Sequence, residues 1–76
     1  MLNMDLSVSQ IKKMVRLYEL HIIREKLSLF EKKYGKSFKA FEKEVKERED
    51  FERWDDYLEW KAYLKAYEDL SQEHYE

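Results

Sequence analysis

The sequence predicts an all-α protein: three helices in a hairpin or small bundle, the first much the longest, assembled as a helical oligomer. Three observations carry this. The 76 residues include no proline and a single glycine, so little interrupts a helical backbone. Glu, Lys, Leu, Ala and Arg, all good helix formers, are abundant. Apolar residues recur at spacings of three and four along most of the chain. The 42% of charged residues would fit a disordered chain, but 16% aromatic residues argue against one.

Helix 1 is expected over about residues 8–34. Ser7 with Gln10 three positions later fits a capping box, in which each residue satisfies the other's backbone N–H. Leu6 and Ile11 supply the matching hydrophobic staple. Gly35 falls where the periodicity ends, as suits a left-handed C-terminal cap. Lys32 and Lys33 stand in the last turn, at the negative end of the helix dipole. Such a helix is about 40 Å long at 1.5 Å per residue.

Ser37 caps a second helix over about residues 38–48, whose apolar stripe is Phe38, Phe41 and Val45. Asp50 caps a third over about residues 51–70. The break between them is the weaker one, and a continuous helix is the alternative. The three helices are read as one domain spanning residues 1–76.

Helix 1 carries two stripes. Val8, Ile11, Val15, Tyr18, Ile22 and Leu29 form a short heptad seam interrupted at Glu25, with Met14 and Leu17 flanking it. Leu20, Ile23, Leu27, Phe30 and Tyr34 lie on another face. The second stripe adjoins the Gly35 turn, so helices 2 and 3 are expected to fold back on it. Helix 3 is too short to cover all of helix 1, which leaves Val8, Ile11, Val15, Tyr18 and Ile22 for a second chain. The alternative buries both stripes inside one bundle.

Helix 3 is aromatic nearly all round. Phe51, Trp54, Leu58 and Ala62 make one face; Tyr57, Trp60, Leu64 and Tyr67 make another, with Tyr63 and Leu70 beside it. A core this small cannot hide them all, and Trp and Tyr are the residues that anchor protein interfaces. Trp54, Tyr57, Trp60, Tyr63 and Tyr67 are therefore expected to bind a partner. The competing reading puts Trp54 and Leu58 in the core.

Charge divides along the chain. Residues 1–39 hold nine Lys or Arg and four Asp or Glu, whereas residues 40–76 hold six and thirteen. An acidic, aromatic half suits either the basic half of another copy or a basic partner protein, since complementary fields speed association and reject wrong partners.

Several function classes find no support. With no cysteine there is no disulfide, thiolate nucleophile or thiolate metal site. His21 and His74 are far apart, and neither a phosphate-cradling glycine loop nor an HExxH motif is present. The expectation is a non-enzyme without cofactor or metal. No apolar run approaches the roughly 20 residues of a membrane span, and Met1 to Ser7 lack the pattern of a signal peptide. A cytoplasmic protein is expected. At net −2, with Lys12, Lys13 and Arg16 as the one basic cluster, nucleic acid is not an expected partner.

A family resemblance adds to this. Phe30, Glu31, Lys33, Tyr34 and Gly35, followed by Ser37, Phe38 and Phe41, and then the segment Phe51 to Ala62, resemble the C-terminal module of small prokaryotic antitoxin-like proteins. That module reads roughly FExKYGxSFxxF, an acidic stretch, then DxxEW. The strand-forming DNA-binding segment of longer members is missing before helix 1. The resemblance implies a protein that neutralises a small toxin-like partner by covering it. Self-assembly with no separate partner is the alternative function.

Overall fold

The computed structural model describes residues 7–72 and holds three α-helices with no strand among them. The first, α1, spans Val8–Tyr34. At its start the Ser7 hydroxyl accepts from Gln10 N–H at 3.2 Å, and the Gln10 side-chain carbonyl accepts from Ser7 N–H at 3.0 Å. This reciprocal closure satisfies two backbone donors that a helix N-terminus leaves unpaired. At its end Gly35 sits at φ 64°, ψ 27° and donates to the Glu31 carbonyl at 2.7 Å. Glycine reaches this left-handed conformation without a Cβ clash. The staple residue Leu6 lies outside the described residues.

The second helix, α2, spans Phe38–Arg48, with the Ser37 hydroxyl accepting from Ala40 N–H at 3.3 Å. It ends at Glu49, which adopts the left-handed conformation at φ 48°, ψ 49°. The next N–H, of Asp50, reaches back to the Val45 carbonyl at 3.1 Å, the six-to-one bond of a Schellman closure. The chain therefore breaks here and α2 does not run on. Asp50 accepts from Arg53 N–H at 3.3 Å and opens a single 3-10 turn, Phe51–Arg53. The third helix, α3, follows over Trp54–Ser71.

α3 is the central element and packs on both α1 and α2. The core is Phe30, Phe41, Val45, Tyr57 and Trp60, backed by Leu27, Tyr34, Phe38, Tyr63 and Leu64. All of these belong to the end of the molecule near the Gly35 turn. Ile23 is the one further buried apolar residue among those described, toward the middle of α1. At 1.5 Å per residue the 18-residue α3 leaves the start of the 27-residue α1 projecting by on the order of 14 Å. The molecule measures 58 × 25 × 16 Å, and its radius of gyration is 16.9 Å. A compact domain of this length has one of about 11 Å. The first turns of α1 thus leave the core as an arm.

Candidate functional site

The core is organised around the Trp60 ring. Phe30 stacks on it with centroids 5.5 Å apart and planes 10° from parallel. Phe41 lies at 5.3 Å, Phe38 meets it edge-on at 5.4 Å, and Tyr34 stacks at 6.2 Å. Phe38 in turn stacks on Tyr57 at 5.7 Å. Offset and edge-on aromatic pairs each add about 0.5–1.5 kcal/mol beyond their buried area. Of the two segments that carry the family resemblance, the first places Phe30, Tyr34, Phe38 and Phe41 in this packed lobe; the second adds Tyr57 and Trp60 to it but leaves Phe51, Trp54 and Leu58 exposed.

Polar groups clasp the lobe at its edge. The Asp56 carboxylate accepts from Lys33 Nζ at 2.7 Å and from the Tyr34 hydroxyl. The Lys33 ammonium and then the Tyr34 hydroxyl hold the Asp56 carboxyl below its usual range. Burial, then the hydrogen bond to Asp56, pushes the Tyr34 hydroxyl up. Glu44 pairs with Lys36, which lowers its pKa, and it also receives Arg48 at 3.3 Å and Arg53 at 3.4 Å. The Tyr57 hydroxyl donates to Glu42 at 2.7 Å and lowers that carboxyl in the same way. Part of the charge division seen in the sequence is thus consumed within one chain, basic Lys33 and Lys36 holding acidic Asp56 and Glu44.

The sequence-predicted partner residues of α3 do not form one surface. Tyr57 and Trp60 were expected to contact a partner, but they are 2% and 1% exposed and belong to the core. Tyr63 and Tyr67 are half-buried, Tyr63 near Phe30 and Tyr67 under Arg24, whose Nε donates to the Tyr67 hydroxyl at 3.3 Å. Trp54 is exposed on the opposite face. Both stripes of α3 keep helical spacing over about three turns, so length does not separate them. Tyr57, Trp60, Leu64 and Tyr67 line α1 and α2 together, and the stripe of Phe51, Trp54, Leu58 and Ala62 turns outward.

Among the described residues two apolar faces therefore remain exposed. On α3 and the turn before it, Phe51 is 78%, Leu58 49% and Trp54 36% exposed. Glu52, Asp55 and Glu59 flank this face, exposed and outside every ion pair among the described residues. On α1, Val8, Ile11, Val15 and Tyr18 are exposed, with Met14 and Leu17 beside them, and Ile22 is half-buried. Tyr18, Ile22 and Ile23 form one wall of an apolar groove of about 410 Å³ whose other wall is Ala66 and Leu70 of α3. His21 is exposed and faces Glu25 at 3.2 Å.

Among the described residues no group of three or more His, Asp or Glu is placed to hold a metal ion, and no helix is long and apolar enough to cross a membrane. No family model matches this chain, and neither a curated protein nor a solved structure does.

Proposed function

We propose that this chain is a non-catalytic protein-binding module of antitoxin type, which covers a small basic partner protein with the outer face of α3. The observation that carries the reading is the exposed Phe51, Trp54 and Leu58, flanked along one side by the carboxylates of Glu52, Asp55 and Glu59, which stand outside every ion pair among the described residues. An aromatic anchor inside a charged rim is the usual anatomy of a binding hot spot. The rim attracts a basic surface and speeds encounter, and desolvation of Trp54 and Phe51 supplies the hold. A toxin-like protein with a basic nucleic-acid cleft fits both terms, the carboxylates taking the place of phosphates. The resemblance of the Phe30 to Phe41 run to antitoxin-like modules supports the same assignment.

The test is co-purification with the product of the adjacent gene, using wild type and the double variant Trp54→Ala, Leu58→Glu. These positions lie outside the core, so the variant keeps its helical circular dichroism. The expected result is loss of the complex, together with a wild-type association rate that falls steeply with salt. Unchanged binding by the double variant removes the α3 face from consideration.

A further inference from the structure

We propose that the arm of α1 pairs with the same arm of a second copy, antiparallel, about a two-fold axis between Arg16 and Leu17. This rests on the α1 seam alone and is independent of the α3 face.

Three observations fix the occupant as a second copy. The first is area. Val8, Ile11, Met14, Val15 and Tyr18 are between 47% and 69% exposed. With roughly 150–200 Å² for a whole large side chain, they offer on the order of 500 Å² per chain. Two such faces reach about 1,000 Å², the area that a specific interface has to clear.

The second is self-complementarity. In the antiparallel register Ile11 meets the partner's Ile22, and Val15 meets the partner's Tyr18. Symmetry repeats both layers, giving four. The groove beside Ile22, whose other wall is Ala66 and Leu70 of α3, then receives the arm of the partner. An isologous contact of this kind closes at two and leaves no seam open.

The third is charge. In the heptad frame Lys12 and Glu19 occupy the same flanking position one heptad apart, and antiparallel helices bring such positions together. Lys12 then lies beside the partner's Glu19, twice by symmetry. A parallel pair sets Glu25 against the partner's Glu25 at a core position and His21 beside the partner's Lys26. It contains no complementary pair. In the antiparallel register Glu25 stays at the end of the seam, level with the partner's Val8, where it keeps its contact with His21.

The chain has no cysteine, so introduced ones report without background. Ile11→Cys and Ile22→Cys are prepared separately, oxidised alone, and oxidised after mixing under conditions that exchange subunits. In the antiparallel register identical positions lie about 16 Å apart along the axis, eleven residues at 1.5 Å, beyond the roughly 7 Å Cα separation a disulfide allows. The expected result is a linked dimer in the mixture and none in either variant alone. Linkage within each variant alone means a parallel pair and overturns the proposal. A light-scattering mass of one protomer for wild type at 200 μM, or a dimer with no linkage in any sample, overturns it as well. Val15→Glu provides the control for folding. It is expected to give a monomer with unchanged near-ultraviolet circular dichroism and at least 100-fold weaker association, and a dimer as tight as wild type refutes the seam.

Discussion

Replacing Trp60 by alanine separates a core residue from a surface one within the same helix. Trp60 is 1% exposed and lies within 6.2 Å, centroid to centroid, of Phe30, Tyr34, Phe38 and Phe41. Truncating a buried Trp costs about 3–5 kcal/mol, the lost transfer energy plus the cavity left behind. The upper end applies here. Four of the surrounding side chains are rigid rings, which collapse poorly into a void, and three helices meet at the site. A 76-residue domain is stable by roughly 4–11 kcal/mol at the usual 0.05–0.15 kcal/mol per residue. The substitution therefore removes a third of the stability or more. At about 4–8 °C per kcal/mol for a domain of this size, the upper-end cost lowers the thermal midpoint by roughly 20–40 °C.

Trp54→Ala is the matched control. Trp54 is 36% exposed and touches one ring, Tyr57, at 5.0 Å. Its loss is expected to cost on the order of 1 kcal/mol, as for other partly exposed positions. The assay is thermal unfolding followed at 222 nm, with both variants at one protomer concentration, because any association makes the midpoint concentration-dependent. Equal shifts for the two variants, or a larger one for Trp54→Ala, would refute the assignment of Trp60 to the core and return it to the surface.

Two further outcomes follow from local geometry. Glu49→Gly is expected to stabilise the protein by about 0.5–1 kcal/mol, read as a higher urea midpoint, because Glu49 sits at φ 48°, a conformation that strains a residue with a Cβ; a lower midpoint contradicts this. Asp56, Glu44 and Glu42 all have depressed pKa values, caused first by Lys33, Lys36 and the Tyr57 hydroxyl respectively. The unfolded chain therefore takes up protons first as the pH falls, so the stability these groups contribute is fully present above the ordinary carboxylate range, about pH 4, and is lost as the pH falls through their lower folded values. Urea midpoints at pH 7, 5 and 3 are expected to be level between the first two and lower at the third, with a smaller drop in Asp56→Asn; a midpoint that rises at pH 3 contradicts it.

Much of the fold was legible because short-range chemistry determines it. The Ser7 and Gln10 box, the Gly35 cap and the Ser37 cap each need only four or five consecutive residues, and the helix ends lie where those signals stand. The break at Glu49 was less legible, since nothing in a glutamate announces positive φ. It is imposed by packing, which must bring Val45 and Tyr57 into one core. The candidate site was legible only in part. The exposed apolar face of the start of α1 could be read from spacing because no other helix among the described residues covers it. The faces of α3 could not be ranked from local sequence, since both are apolar and both contain a tryptophan. Which one turns inward depends on the direction in which the chain leaves Gly35 and Asp50, a long-range property. The ion pairs Lys33–Asp56 and Lys36–Glu44 escaped for the same reason: partners 23 and 8 positions apart look like charge blocks until the helices fold back.

The composition of the arm bears on why it exists. An isolated helix of about ten residues is marginal in water. The arm, which no other helix among the described residues covers, continues a helix nucleated in the core and is closed by the Ser7 box at its tip. Were its role only to extend, alanine, glutamate and lysine would serve best, since they have high helix propensity and stay soluble. It contains instead Val8, Ile11, Val15 and Tyr18, whose β-branched or aromatic side chains lose rotamer freedom in a helix and lower its stability. All four lie on one face, and all are exposed. Each is a poor choice for an isolated helix and a good one for a helix whose seam meets another. The local cost is offset only when that seam is covered, which is the physical case for a second chain.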